Sequence, residues 1–192
     1  MKKLSGKQIT LMSIGIVAVL LILWVMGSYN GLVKADETVN EKWANVGTAY
    51  QRRADLVPNL VETVKRYAAH EETIFIEVTK ARASMMNAKT PTELQAADNQ
   101  LSSTLKTLFA VAENYPNLKA NENFLSLQDE LAGTENRIKT ERDIYNGAVK
   151  ELNLKIRRFP TNIIAGIFGF EKRDMFEAQQ GAEEAVDVGK LF

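Results

Sequence analysis

The side chains that most often carry chemistry are scarce in this chain. Among its 192 residues there is no cysteine and a single histidine. Disulfides, zinc–thiolate sites, a lipobox cysteine and cysteine nucleophiles are thereby excluded. His70 has Tyr67 three residues before it, so the Glu-x-x-His pair of di-iron bundles fails. His70-Glu71-Glu72 also lacks the second histidine of a zincin. Neither a glycine-rich phosphate loop nor a nucleophile elbow occurs. His70 reads as a surface or helix-end residue, and no catalytic, metal or cofactor site is expected. What remains is a polar set: Gln51, Arg52, Arg53 and Asp55 on one stretch, Glu135, Asn136 and Arg142 on another. Two readings compete for it. Either these are surface ion pairs contributing about 0–1 kcal/mol each, or they meet as a buried network with at least one arginine out of water. The second is expected.

The elements that must position this set are helical. Val39, Trp43, Val46, Tyr50, Ala54, Val57, Val61, Val64 and Ala68 recur at steps of three and four, the stripe of an amphipathic helix. Pro58 lies inside that stripe. It removes the hydrogen bond to the Ala54 carbonyl and is expected to kink the helix. A second stripe runs Ile74, Val78, Ala81, Met85 and ends near Asn87-Ala88-Lys89. Thr90-Pro91-Thr92-Glu93 is a helix start with Thr90 as N-cap, Pro91 in the first turn and Glu93 closing a capping box. Leu94, Ala97, Leu101, Leu105, Leu108 and Ala112 form the third stripe, stopped by Glu113-Asn114-Tyr115-Pro116-Asn117. The fourth begins near Asn121, carries Phe124, Leu127, Leu131, Ile138, Tyr145, Val149, Leu152 and Ile156, and ends before Pro160. It is weakest at Thr134-Glu135 and Glu141-Arg142, where polar residues could face the arginines.

No strand-like alternation or hairpin signal interrupts the pattern, and short connections make neighbouring helices antiparallel. The expected fold is all-α: an N-terminal transmembrane helix followed by an antiparallel, up-down-up-down bundle of long helices.

Residues 9–26 form an uncharged run of 18 residues rich in Ile, Leu and Val. At 1.5 Å per residue it spans roughly 27 Å, close to the hydrocarbon thickness. Trp24 and Tyr29 fall where an aromatic belt belongs. The rival is a cleaved signal peptide. The run exceeds the usual h-region of about 7–15 residues, however, and no A-x-A follows it. Lys2, Lys3 and Lys7 precede the run, while Lys34 beyond it is soon followed by Asp36, Glu37 and Glu41. The positive-inside rule then puts the N-terminus in the cytoplasm. Residues 1–8 are read as a cytoplasmic N-terminus, 9–28 as the transmembrane helix, 29–176 as the bundle and 177–192 as a polar tail. Beyond Ser28 the chain holds 21 basic and 24 acidic residues. This mildly acidic balance argues against a nucleic-acid partner.

Length arithmetic carries a further expectation. The first helix climbs about 60 Å from the membrane at 1.5 Å per residue. The fourth, at about 55 Å, can return almost to the bilayer. The segment that follows it is apolar and aromatic, with Phe159, Ile163, Ile164, Ile167, Phe168 and Phe170, and is flanked by Arg157, Arg158, Lys172 and Arg173. Residues 163–170 are too few to cross a bilayer. Packing on the bundle core or on another subunit, and contact with the lipid interface, both remain open. From Glu171 on, the tail reads as a short helix with a frayed end.

Several segments together resemble the LemA family of bacterial membrane proteins. They are Tyr29-Asn30-Gly31-Leu32-Val33, Gln51-Arg52-Arg53-Ala54-Asp55-Leu56-Val57-Pro58-Asn59-Leu60-Val61, Tyr67-Ala68-Ala69-His70-Glu71 and Ala81-Arg82-Ala83. Glu113-Asn114-Tyr115-Pro116-Asn117-Leu118-Lys119-Ala120-Asn121 and Leu131-Ala132-Gly133-Thr134-Glu135-Asn136-Arg137-Ile138 follow, with Tyr145-Asn146, Phe159-Pro160 and Gly169-Phe170 completing the match. The resemblance runs from about residue 9 to about 176. It implies one N-terminal transmembrane helix and a helical domain outside the membrane, and it supplies no activity and no catalytic residues.

The function expected is a non-enzymatic scaffold in the bacterial inner membrane. It crosses once, holds its helical domain on the periplasmic (extracytoplasmic) side and self-associates as a homo-oligomer. The alternative is an extracytoplasmic adaptor or sensor module that binds a protein or peptide, with another membrane protein as partner. No small-molecule substrate is identified.

Overall fold

The structure is a computed structural model that describes residues 6–177. Lys2, Lys3 and the polar tail beyond Glu177 lie outside the described residues. The described chain is all-α. The helices are α1 (Gly6–Lys65), α2 (Glu72–Asn87), α3 (Pro91–Ala112), the single turn α4 (Pro116–Lys119), α5 (Glu122–Arg157) and α6 (Thr161–Phe168). Two compact units divide the chain. Among the described residues, one comprises 6–42 together with Gly147–Arg173; the other comprises Trp43–Asn146 and 174–177.

The larger unit is the bundle. Buried apolar side chains recur along each of its helices: Val46, Ala54, Val57 and Val64 on α1, Ile74, Val78 and Ala81 on α2, Leu101, Leu105 and Leu108 on α3, Leu131 and Ile138 on α5. Paired contacts set the helix directions. Lys65 lies over Phe75 while Arg82 reaches Ala54, so α2 runs against α1. Arg53 meets Asp98, and Glu71, just past the end of α1, meets Tyr115, so α3 runs with α1. Tyr67 meets Asn121 while Trp43 packs on Tyr145, so α5 runs against it. This is the up-down-up-down order.

Local chemistry sets the helix ends. Thr90 Oγ1 accepts from Glu93 N at 3.2 Å, and Glu93 Oε2 accepts from the Thr90 and Lys89 amides at 3.3 and 2.9 Å, closing the capping box. Those two backbone donors hold the Glu93 carboxyl below the usual glutamate range. α6 stops at Gly169, whose φ of 73° is the left-handed conformation that glycine adopts without steric cost. The Gly169 and Phe170 amides both turn back to the Ala165 carbonyl.

Pro58 does not end α1, which continues unbroken to Lys65. The carbonyl it orphans is that of Ala54, itself fully buried. Arg82 on α2 supplies the missing donor: its Nε donates to the Ala54 carbonyl at 2.8 Å. An unmet buried carbonyl costs about 1–3 kcal/mol, so the defect made by Pro58 becomes a cross-helix tie.

The described residues after α6 depart from the expected helix. The described part from Glu171 to Glu177 is non-helical. Within the bundle unit, Asn146 exchanges both its amide groups with the Phe176 backbone at 3.0 and 2.9 Å. Gln95 does the same with Glu177 at 3.3 and 3.2 Å, and the Tyr145 hydroxyl donates to the Asp174 carbonyl at 3.0 Å. In the smaller unit, Asn153 grips the Arg173 backbone in the same two-point way. Side-chain amides take the place of a helix ladder.

Arg82→Met is expected to lower the unfolding free energy of the full chain in detergent by about 1–2 kcal/mol. In a Pro58→Ala background, where an amide again faces the Ala54 carbonyl, the same change should cost clearly less. Denaturant titrations followed by circular dichroism give the cycle. Purely additive effects would mean that the Arg82–Ala54 bond carries no net energy.

Candidate functional site

The polar core of the bundle is a carboxylate held between two arginines from opposite sides. Arg53 on α1, Asp98 on α3 and Arg142 on α5 are only 3%, 6% and 8% exposed. Arg53 Nη1 donates to Asp98 Oδ1 at 2.7 Å, and Arg142 Nη1 lies 3.9 Å from Asp98 Oδ2. Arg53 Nη2 also donates to Ser102 Oγ at 3.0 Å. The guanidinium of Arg142 lies 4.6 Å from the centroid of Phe176, which stacks against Trp43 and meets Tyr145 edge-on. The tail grip on Asn146 and Gln95 therefore seats an aromatic lid on the cluster.

Of the expected set, the structure gathers Arg53 and Arg142 inside and leaves Glu135 at the rim. Glu135 is 64% exposed along its side chain and lies 3.8 Å from Arg53. Gln51 and Asp55 instead bond each other one turn apart on the exposed face, at 2.8 Å. Arg52 and Asn136 are exposed and outside the cluster. The reason is angular: residues 51, 52 and 55 fall off the stripe that buries 50, 53, 54 and 57, so water solvates them at no cost.

The expected set missed Asp98, the residue on which both arginines converge. A signal for it exists. It sits four residues after Leu94 and three before Leu101, inside the third apolar stripe. An aspartate there must be buried, and a buried aspartate requires a cation.

Burial pushes the Asp98 carboxyl above the ordinary aspartate range; Arg53 and Arg142 oppose that shift without cancelling it, and Glu135 adds to it. Tyr50 lies beside the pair. Burial, then the charge of Asp98, raises its hydroxyl, so it stays protonated. Arginine cannot release its proton. The cluster thus combines two fixed cations, the Asp98 carboxyl, the Ser102 hydroxyl and one neutral phenol. It joins side chains of α1, α3 and α5. A polar cleft of about 770 Å³ opens onto it, lined by Asp98, Ser102 and Arg142 together with Asn99, Lys106, Asn136 and Lys139.

The second set lies in the smaller unit. There Ile164 and Ala165 of α6 are buried against Leu32 of α1, with Val25, Ile156 and Phe170 packed around them. Tyr29 adds ring contacts to Phe168 at 4.8 Å and to Phe170 at 5.9 Å. Ile164 is therefore core, and Phe170 half-buried, rather than free contact residues. Phe159, Ile163, Ile167 and Phe168 remain exposed, Ile167 by 70%. His70 is exposed, as expected.

Before that unit's core, α1 carries a run that is long and apolar enough to cross a bilayer and is not buried by any other part of the described chain. A helical bundle locked by an internal ion cluster and led by such a segment is a membrane-associated helical protein. The model of the LemA family matches residues 42–189, and the chain belongs to that family. It is similar to Magnetosome protein MamQ 2 of Paramagnetospirillum magneticum, at 26% identity over 97% of this chain and 79% of that protein. Magnetosome protein MamQ of Magnetospirillum gryphiswaldense is 23% identical over 85% of this chain and 70% of its own. Protein LemA of Metamycoplasma hominis is 24% identical, with 86% and 76% covered.

Asp98→Leu strands two buried arginines and should cost about 3–5 kcal/mol of unfolding free energy. Replacing all three residues by leucine should be near neutral or stabilising. A triple variant as unstable as Asp98→Leu would refute this account. The pH dependence has a defined sign. Between the ordinary aspartate value and the raised value of Asp98, the folded chain binds the proton more tightly than the unfolded chain. In that window the contribution of Asp98 to stability falls as pH rises and is flat above it. Asp98→Asn should abolish that fall in pH-resolved denaturation.

Proposed function

We propose that this protein is a non-enzymatic scaffold of the bacterial inner membrane. The observation that carries the reading is that the buried charges of the described bundle answer one another: Arg53 and Arg142 both meet Asp98, and Phe176 covers Arg142. Such a cluster fixes a shape and leaves no reacting group. α1 crosses the membrane once, with residues 1–8 in the cytoplasm and the domain of residues 29–176 on the periplasmic side. The flanking lysines support that orientation. Copies associate side by side at the membrane. Confinement to two dimensions supports this, as do Ile76, Leu125 and Ile144, large apolar side chains left exposed on the bundle. The names of the relatives state no reaction.

A second reading is an extracytoplasmic adaptor or sensor module for a protein or peptide in the membrane. The polar cleft lined by Asn99, Lys106, Asn136 and Lys139 favours it.

The absence of cysteine makes the topology directly testable. In cells with a permeabilised outer membrane, Asn123→Cys should react with an impermeant maleimide, and Ser5→Cys only after lysis. The reverse pattern would invert the orientation. Crosslinking and native mass measurement of the full chain in mild detergent should give discrete oligomers. A strictly monomeric protein at high concentration would sink the scaffold, and a different membrane protein copurifying in fixed ratio would favour the adaptor.

A further inference from the structure

We infer that α6 is a second membrane contact, its outward face lying in the lipid interface and Arg157 and Arg158 meeting anionic headgroups. The inference rests on the reading that α1 spans the bilayer. Its starting point is depth. The inner face of α6, Ile164 and Ala165, packs on Leu32, and the same cluster includes Val25. Val25 belongs to the apolar run of residues 9–26. Seven residues of helix separate Val25 from Leu32, about 10 Å. The headgroup layer on each side of the hydrocarbon is about 5–8 Å deep. A helix fastened over that stretch of α1 lies at the boundary between hydrocarbon and water.

Composition and orientation agree with that depth. α6 is two-faced, with Ile164 and Ala165 inward, Ile163, Ile167 and Phe168 outward, and Phe159 exposed just before it. Tyr29 of α1 makes ring contacts with Phe168 and Phe170, so exposed aromatic side chains of the two elements meet. No acidic residue occurs from Arg157 through Phe170. Both arginines are exposed, and neither makes an ion pair among the described residues. Apolar, aromatic side chains beside free cations suit an anionic lipid surface. A second copy of the chain is the weaker occupant. Four side chains offer on the order of 400 Å², about half of what each partner of a stable dimer buries.

Nitroxide labels on the cysteine-free full chain, reconstituted in vesicles of phosphatidylcholine and phosphatidylglycerol, test this. At Ile163→Cys and Ile167→Cys, collisions with oxygen should exceed those with a water-soluble nickel chelate several-fold. At the exposed Glu151→Cys the order should reverse. Labels at 163 and 167 that behave like the one at 151 would overturn the inference while leaving the anchor intact. So would labels shielded from both reagents and showing spin–spin broadening, which would mark a second copy. A water-exposed label at Leu20→Cys would overturn the anchor and this inference together. Arg157→Gln with Arg158→Gln should reduce immersion of the 167 label in the mixed vesicles but not in pure phosphatidylcholine; equal immersion in both would remove the headgroup contact.

Discussion

The bundle depends on one buried carboxylate. Asp98 occupies a place where its stripe calls for an apolar side chain, and a lone charge there would be prohibitive. Two arginines from two other helices make it tolerable, while burial holds the carboxyl above its ordinary range. A buried ion cluster in general adds little net stability over an apolar core. What it adds is discrimination. Leucine and valine stripes slide past one another at modest cost. Arg53, Asp98 and Arg142 meet in one register of α1, α3 and α5, and every other register leaves a fixed cation in the core.

The same demand, that a polar group out of water find a partner, explains features that look unrelated. Pro58 withholds an amide from the Ala54 carbonyl, and Arg82 of α2 replaces it. Beyond α6 the described residues 171–177 have no helical ladder of their own, and Asn146, Gln95 and Asn153 replace that by gripping backbone amides and carbonyls in pairs. In each case a side chain from another element does what the local backbone cannot. These ties bind elements far apart in sequence, and one of them sets Phe176 over Arg142.

This explains what could be read from the sequence. The helices were legible because their signals are local: apolar spacing, the Thr90–Glu93 capping box, and the prolines after Tyr115 and Phe159. The burial of an arginine near Pro58 was legible because Arg53 falls on the stripe of Tyr50, Ala54 and Val57. Asp98 was passed over because a single acid among leucines resembles the wet edge of an amphipathic helix. Only the angular position between Leu94 and Leu101 distinguishes the two. The partner of the Ala54 carbonyl and the non-helical course of residues 171–177 were not legible at all. Both depend on amide and guanidinium groups whose targets are backbone atoms, and backbone targets leave no mark in residue type.

The smaller unit obeys the opposite solvation rule. Leu11, Ile14, Ile16, Val17, Leu20, Leu21 and Leu23 are all exposed along α1. In water each such side chain forgoes roughly 1.5–3 kcal/mol of burial, and a run of them would exceed the whole stability of a small domain. Hydrocarbon would remove that cost. It then imposes another, because every backbone group within it must bond internally, which an unbroken helix achieves. Charges are accordingly absent from residues 9–26, and the first acid after Ser28 is Asp36, bonded to Arg173 at 3.1 Å. Between Val25 and that ion pair lie Tyr29, Leu32 and the inner face of α6. On the reading that α1 spans the bilayer, that is where the demands of hydrocarbon would give way to those of water, and a helix apolar on both faces would be tolerated there because only one of its faces needs protein.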